Sequence, residues 1–122
     1  MLKHIFPVLI ILMLAFTGCE QVNPVKKWTV TYRVYRKSNE AISYRVKYVT
    51  HSGGTEIKGP FTNANFDSVE FTEFEDGSYQ YLSVETISGK GELQLQIKVN
   101  GSVYEEGTKA EFVKSYEIES NL

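Results

Sequence analysis

Three segments of this chain alternate apolar and polar residues with a period of two, and that period limits what the chain can fold into. Trp28, Val30, Tyr32 and Val34 are interleaved with Thr29, Thr31, Arg33 and Tyr35. Ile42, Tyr44, Val46 and Tyr48 are interleaved with Ser43, Arg45, Lys47 and Val49, and Leu93, Leu95, Ile97 and Val99 with Glu92, Gln94, Gln96 and Lys98. Successive side chains on a strand point to opposite faces, so each segment reads as a strand with one buried and one wet face. Val69 with Phe71, Leu82 with Val84, Val103, and the closing run Phe112 to Ile118 are further strand candidates. The supply of Tyr, Phe, Val and Thr favours strands over helices.

Turn signals fall between these runs. Asn100-Gly101 is the strongest, because a tight primed turn needs residues that tolerate positive φ. Ser52-Gly53-Gly54, Asp76-Gly77 and Ser88-Gly89-Lys90-Gly91 punctuate the chain in the same manner. Gly59-Pro60 is expected to end the run at Lys58, since proline cannot donate to a ladder. The spacing predicts an all-β domain: an immunoglobulin-like antiparallel β-sandwich of about seven strands, with a small barrel as the alternative. Its inner faces are expected to bury Val30, Tyr32, Val34, Tyr44, Val46, Leu82, Val84, Leu95, Ile97 and Val99.

The amino-terminal segment has a different character. Lys3 precedes an apolar run from Ile5 to Phe16, followed by Thr17-Gly18-Cys19. As a helix this run spans roughly 18 Å, against a hydrocarbon core of about 30 Å. It suits the helix of a secretory signal better than a membrane span. The segment resembles a bacterial lipoprotein signal, whose lipobox ends in Gly-Cys or Ala-Cys. That resemblance implies a signal peptide over 1–18, lipid attachment at Cys19, a tether over 19–27 and a β-sandwich domain over 28–122. It also implies a cell-envelope location, lipid-anchored on the outer side of the cytoplasmic membrane or on the outer membrane. An ordinary cleaved signal and a retained membrane helix are the competing readings.

Composition narrows the function classes. The chain has 122 residues and one cysteine, so an internal disulfide and a thiolate zinc cluster are both excluded. Thirteen basic and fifteen acidic side chains give a net charge of −2 with no arginine-rich stripe. Nucleic acid needs clustered positive charge and is not an expected partner. No cofactor or metal is expected either. Past the leader, His51 is the only imidazole, and no Gly-x-Ser-x-Gly elbow accompanies it. Acidic residues gather at Glu70, Glu73, Glu75 and Asp76 without the spacing of a calcium loop. Eight tyrosines are generous for a chain this short. Tyr79 and Tyr81 are expected on one strand face, and Tyr35 on the outer face of the first strand, where tyrosine suits sugar or protein contacts.

The order of elements carries a second resemblance. A Val-x-Tyr-x-Val strand (Val30 to Val34) is followed by Ala41-Ile42-Ser43-Tyr44 and a Gly-Gly-Thr turn at Gly53 to Thr55. Gly77-x-x-x-Tyr81-Leu82-Ser83-Val84 and Leu95-x-Ile97-x-Val99-Asn100-Gly101 come later. This resembles the exported β-sandwich domain of the MmpS family and related small bacterial lipoproteins. The resemblance covers roughly residues 28 to 106 and implies an accessory protein beside an RND-type transporter. Two readings of function follow. The first is a non-catalytic, membrane-anchored binding or accessory module with an envelope protein or transporter as partner. The alternative is a small envelope hydrolase using His51 or the Glu70 to Asp76 acids.

Overall fold

The computed structural model describes residues 26–122; the signal segment, Cys19 and most of the tether lie outside them. Nine strands form in order: β1 (Lys27–Arg36), β2 (Ile42–Val49), β3 (Thr55–Thr62), β4 (Phe66–Asp67), β5 (Phe71–Glu75), β6 (Tyr79–Gly89), β7 (Leu93–Val99), β8 (Ser102–Lys109) and β9 (Ser115–Asn121). They make two antiparallel sheets, one ordered β4-β1-β7-β8 with β5 also on β1, the other β3-β2-β6-β9. The architecture is an all-β sandwich, as the alternation predicts.

Two more strands are present than expected, and the reason is local. The stretch after Phe66 lays down two short pieces on β1. Phe66 pairs with Val34, and Phe74 pairs with Trp28. Gly59-Pro60 does not end β3, which runs on to Thr62. The strand is an edge with an irregular register between Tyr44 and Val46, where a residue without an N–H is tolerated. The closing run is also shifted. Phe112 lies in the turn before β9 and is 81 % exposed. Val69 stands exposed between β4 and β5, and Val103 is on β8 but half exposed at the sheet edge.

All ten expected inner-face residues are buried. Ile42, Tyr48, Phe66, Phe74, Leu93 and Ile118 complete the core. The two sides of the sandwich close differently. On the β3 and β4–β5 side, aromatic rings form a continuous seam. Phe61 lies 5.1 Å from Phe66, Phe66 5.9 Å from Tyr48, and Tyr48 5.1 Å from Tyr32. Such offset and edge contacts add about 0.5–1.5 kcal/mol per pair beyond area burial. On the other side Tyr116 of β9 lies over Gly107 of β8, so close that a Cβ at 107 would sit 2.4 Å from the phenol oxygen. The Tyr104 hydroxyl donates to the Asn121 carbonyl at 2.8 Å across the same seam.

The ends of the sandwich are distinct too. The start of β1, the β2–β3, β5–β6 and β7–β8 turns and Leu122 share one end. There the Asp76 amide donates to the Lys26 carbonyl, and the Gly77 amide to that of Leu122. The β1–β2, β6–β7 and β8–β9 turns share the other, tied by the Lys37 amide on Glu92 and the Gly91 amide on Glu111.

Buried phenols hydrogen-bond as they must. Tyr32 donates to the Val49 carbonyl at 2.6 Å, Tyr44 to Ala64, and Tyr48 to the Glu56 carboxylate at 2.8 Å. Burial first, and Glu56 second for Tyr48, pushes Tyr44 and Tyr48 up to about 12. Burial raises Tyr32 as well.

Two outcomes are expected. Leu95 is fully buried, so Leu95→Ala costs about 2–5 kcal/mol in denaturant unfolding; a loss below about half a kcal/mol would deny it a core role. The second is alkaline unfolding. Tyrosines in the unfolded chain ionise from 10.0, while the folded chain holds those protons to about 12. Above pH 10 the unfolded state binds fewer protons, so stability present below that pH is lost as pH rises through this window. Tyr48→Phe is expected to flatten the fall, read by unfolding midpoints between pH 9 and 12 (a range set by the phenol pKa of about 10).

Candidate functional site

The outer face of the β3-β2-β6-β9 sheet carries the best-formed surface depression among the described residues. Its residues are dictated by the alternation that buries the core. When Val46, Leu82, Val84 and Ile118 point inward, the residues between them must point out. The register then assembles rows across the sheet. Lys47 lies opposite Ser83, and Ser83 opposite Glu117; Arg45 lies opposite Glu85, and Glu85 opposite Ser115. Ile57 pairs with Lys47 at the β3 lip and is 61 % exposed. The depression has a volume of about 720 Å3.

Two tyrosines sit along this face on β6. Tyr79 and Tyr81 have ring centroids 6.4 Å apart with planes inclined by 35°. Tyr81 pairs with Glu119 but donates to Glu117 at 2.6 Å; Tyr79 pairs with Asn121 but donates to Glu119 at 2.6 Å. Each phenol thus reaches a carboxylate two residues before its own cross-strand partner. To do so each ring leans along the strand rather than straight across to its partner. The hydrogen bond to Glu119 leads the causes that push Tyr79 up to about 12, and burial followed by Glu117 raises Tyr81. Both phenols are therefore neutral donors at physiological pH. The Arg45 guanidinium stands 3.7 Å from the Glu85 carboxylate, a solvated pair.

The opposite outer face is already satisfied by its own groups. Gln94 and Gln96 both donate to Glu106, and Thr108 donates to Gln94. Both glutamines are buried there, and Arg33 lies over the Tyr35 ring at 5.2 Å while pairing with Asp67. Tyr35 is thus engaged rather than presented.

Of the other residues singled out in the sequence, His51 and Glu73 are brought near each other, since His51 packs against Phe71 and Phe74 of β5, but no hydrogen bond joins them among the described residues. His51 is exposed in the β2–β3 turn, with its ring 6.0 Å from Phe71 and 6.5 Å from Phe74. The neighbouring Ser52 hydroxyl bonds Thr50 at 3.0 Å, not the imidazole. Glu73 pairs with Lys27, which holds its carboxyl below the usual range, and Asp76 accepts from the Trp28 indole at 3.3 Å. Glu70 lies outside β5. Among the described residues no group of three or more His, Cys, Asp or Glu is placed to hold a metal ion.

One charged residue was invisible in the sequence. Lys109 is fully buried at the end of β8, where its amine donates to the Ala110 and Val113 carbonyls at 2.9 and 2.7 Å. Burial lowers its pKa, with Glu111 and Glu92 acting against that shift. The two bonds pin the turn that presents Phe112. A lysine flanked by Thr108 and Ala110 carries no signal of burial; only its register opposite Leu93 reveals it.

No protein-family model matches the chain, and no curated protein matches it.

The tyrosine and carboxylate pairing makes a direct prediction. In Glu119→Gln the Tyr79 phenol is expected to titrate closer to its ordinary 10.0, because the carboxylate that opposes its ionisation is gone. Ring-resonance shifts followed with pH read this, and an unmoved titration would show that the bond does not form in solution.

Proposed function

We propose that the chain is a lipid-anchored, non-catalytic binding or accessory module of the bacterial cell envelope. The observation that carries this reading is the leader, in which a positive Lys3, a short apolar run and Thr17-Gly18 lead to the chain's only cysteine. A thiolate at Cys19 takes a diacylglyceryl group as a stable thioether. Each buried methylene contributes about 0.8 kcal/mol, and two or more acyl chains hold a protein where one does not.

The position of β1 supports the reading. It begins at Lys27, and the chain back to Cys19 is short enough to reach at most about 30 Å. The sandwich then rides near the bilayer with its β1–β2, β6–β7 and β8–β9 turns farthest from the anchor. His51 lies near Glu73 without a hydrogen bond to it, and Ser52, Glu73 and Asp76 are engaged by Thr50, Lys27 and Trp28, which favours binding over hydrolysis. The resemblance to the MmpS family makes an RND-type transporter the envelope partner to test first.

Cys19→Ala is expected to release the protein from detergent-dependent membranes into the soluble exported fraction, and mass spectrometry of the native chain to show a lipidated residue 19 at the amino terminus. An unmodified chain that still begins at Met1 would overturn the anchor.

A further inference from the structure

We propose that the concave outer face of the β3-β2-β6-β9 sheet binds a neutral oligosaccharide. This rests on the binding-module reading above and names the ligand class. The size is suitable: about 720 Å3 lies within the range of small-molecule sites, about 300–1,000 Å3. A sugar ring has an apolar C–H face and a rim of hydroxyls. The Tyr81 ring, held along the sheet by its bond to Glu117, supplies a flat apolar platform at low entropic cost. Arg45, Lys47, Ser83 and Glu117 surround it with donors and acceptors that match a hydroxyl rim.

Charge decides against other ligands. Within the depression the two cations, Arg45 and Lys47, are matched by Glu85 and Glu117, and Glu119 farther along β9 makes the face slightly acidic. It therefore offers no positive field to an anion, and no group of three acids among the described residues is placed to hold a metal ion. A lipid chain needs an apolar lining, and here the aliphatic residues besides Ile57 at the lip, Val46 and Val84, are buried with the core. An added peptide strand needs an open edge, whereas this depression sits over β2 and β6, both paired on two sides.

The test is calorimetric titration of the full chain in detergent with uncharged oligosaccharides, β-1,4-linked N-acetylglucosamine and glucose oligomers among them. Saturable binding is expected. Tyr81→Ala weakens it by roughly tenfold or more, as loss of an aromatic platform should; Tyr81→Phe keeps the ring and most of the affinity. Tyr35→Ala, on the opposite sheet, leaves binding unchanged. Unfolding midpoints of each variant separate lost affinity from lost fold. Binding is also measured on full-length Cys19→Ala, where it should persist, so that a failed anchor and a failed sugar site give different results. Absence of saturable binding to every neutral oligomer overturns the proposal. So does affinity that Tyr81→Ala does not change, or self-association through this face that the same substitution abolishes.

Discussion

Everything in this fold depends on side-chain packing between two sheets that no disulfide joins. With one cysteine, at position 19 and outside the described residues, the layers are held by burial and by the hydrogen bonds of their rims. The interior therefore uses tyrosine where an aliphatic residue would fill space but not reach out. Tyr32, Tyr44 and Tyr48 each fill the core with a ring and send a hydroxyl to Val49, Ala64 or Glu56 at the margin. A phenol so placed fixes register as well as volume, because an unmade bond would leave a buried polar group, a cost of about 1–3 kcal/mol. The aromatic seam on one side and the Tyr116–Gly107 contact on the other then close the layers where aliphatic packing runs out.

The parts of this fold that the sequence made legible are those governed by period two. β1 and β2 keep an exposed or half-exposed face opposite the core, and the inward residues of β1, β2 and β7 are readable without a structure. The wet face expected of β7 is not found, because Gln94 and Gln96 are buried beside Glu106 and Thr108. Legibility failed where tertiary context overrode local signs. Gly59-Pro60 reads as a stop, yet an edge strand does not need the missing N–H on its open side. Phe66 and Phe74 lack alternating neighbours, since β4 is two residues long and β5 joins β1 across an irregular register. Phe112 looks like the head of a strand, but the carbonyls that capture Lys109 turn the chain there. The failures at Pro60, Phe66 and Phe74 are long-range effects, not written within a window of a few residues; the Phe112 turn is local but rests on the burial of Lys109, which its neighbours do not announce.

The site followed the same division. Tyr79 and Tyr81 could be assigned to one face from their spacing alone, and they share one. Their partners could not, because Glu117 and Glu119 belong to a strand about 40 residues away, a pairing set by register alone. The acids that drew attention in the sequence, Glu73 and Asp76, turned out to be occupied by Lys27 and Trp28 at the start of β1. Local density of carboxylates was thus a poorer guide than cross-strand geometry.

That geometry also explains why recognition would use a face and not an edge. A free edge strand recruits other strands unless it is guarded. β3, at one border, carries Lys58, Pro60 and an irregular register. β8, at another, carries Glu105 and Glu106, with a register shift between Ile97 and Lys98 of its neighbour. β9 has its last carbonyl, that of Asn121, taken by Tyr104. One outer face is filled by the Gln94, Gln96 and Glu106 network, which leaves few groups for a ligand. What remains is the β2–β6–β9 surface, where two tyrosine rings, serines and both signs of charge stand together. With its edges guarded and its second face occupied, the sandwich has this surface left with which to meet a ligand.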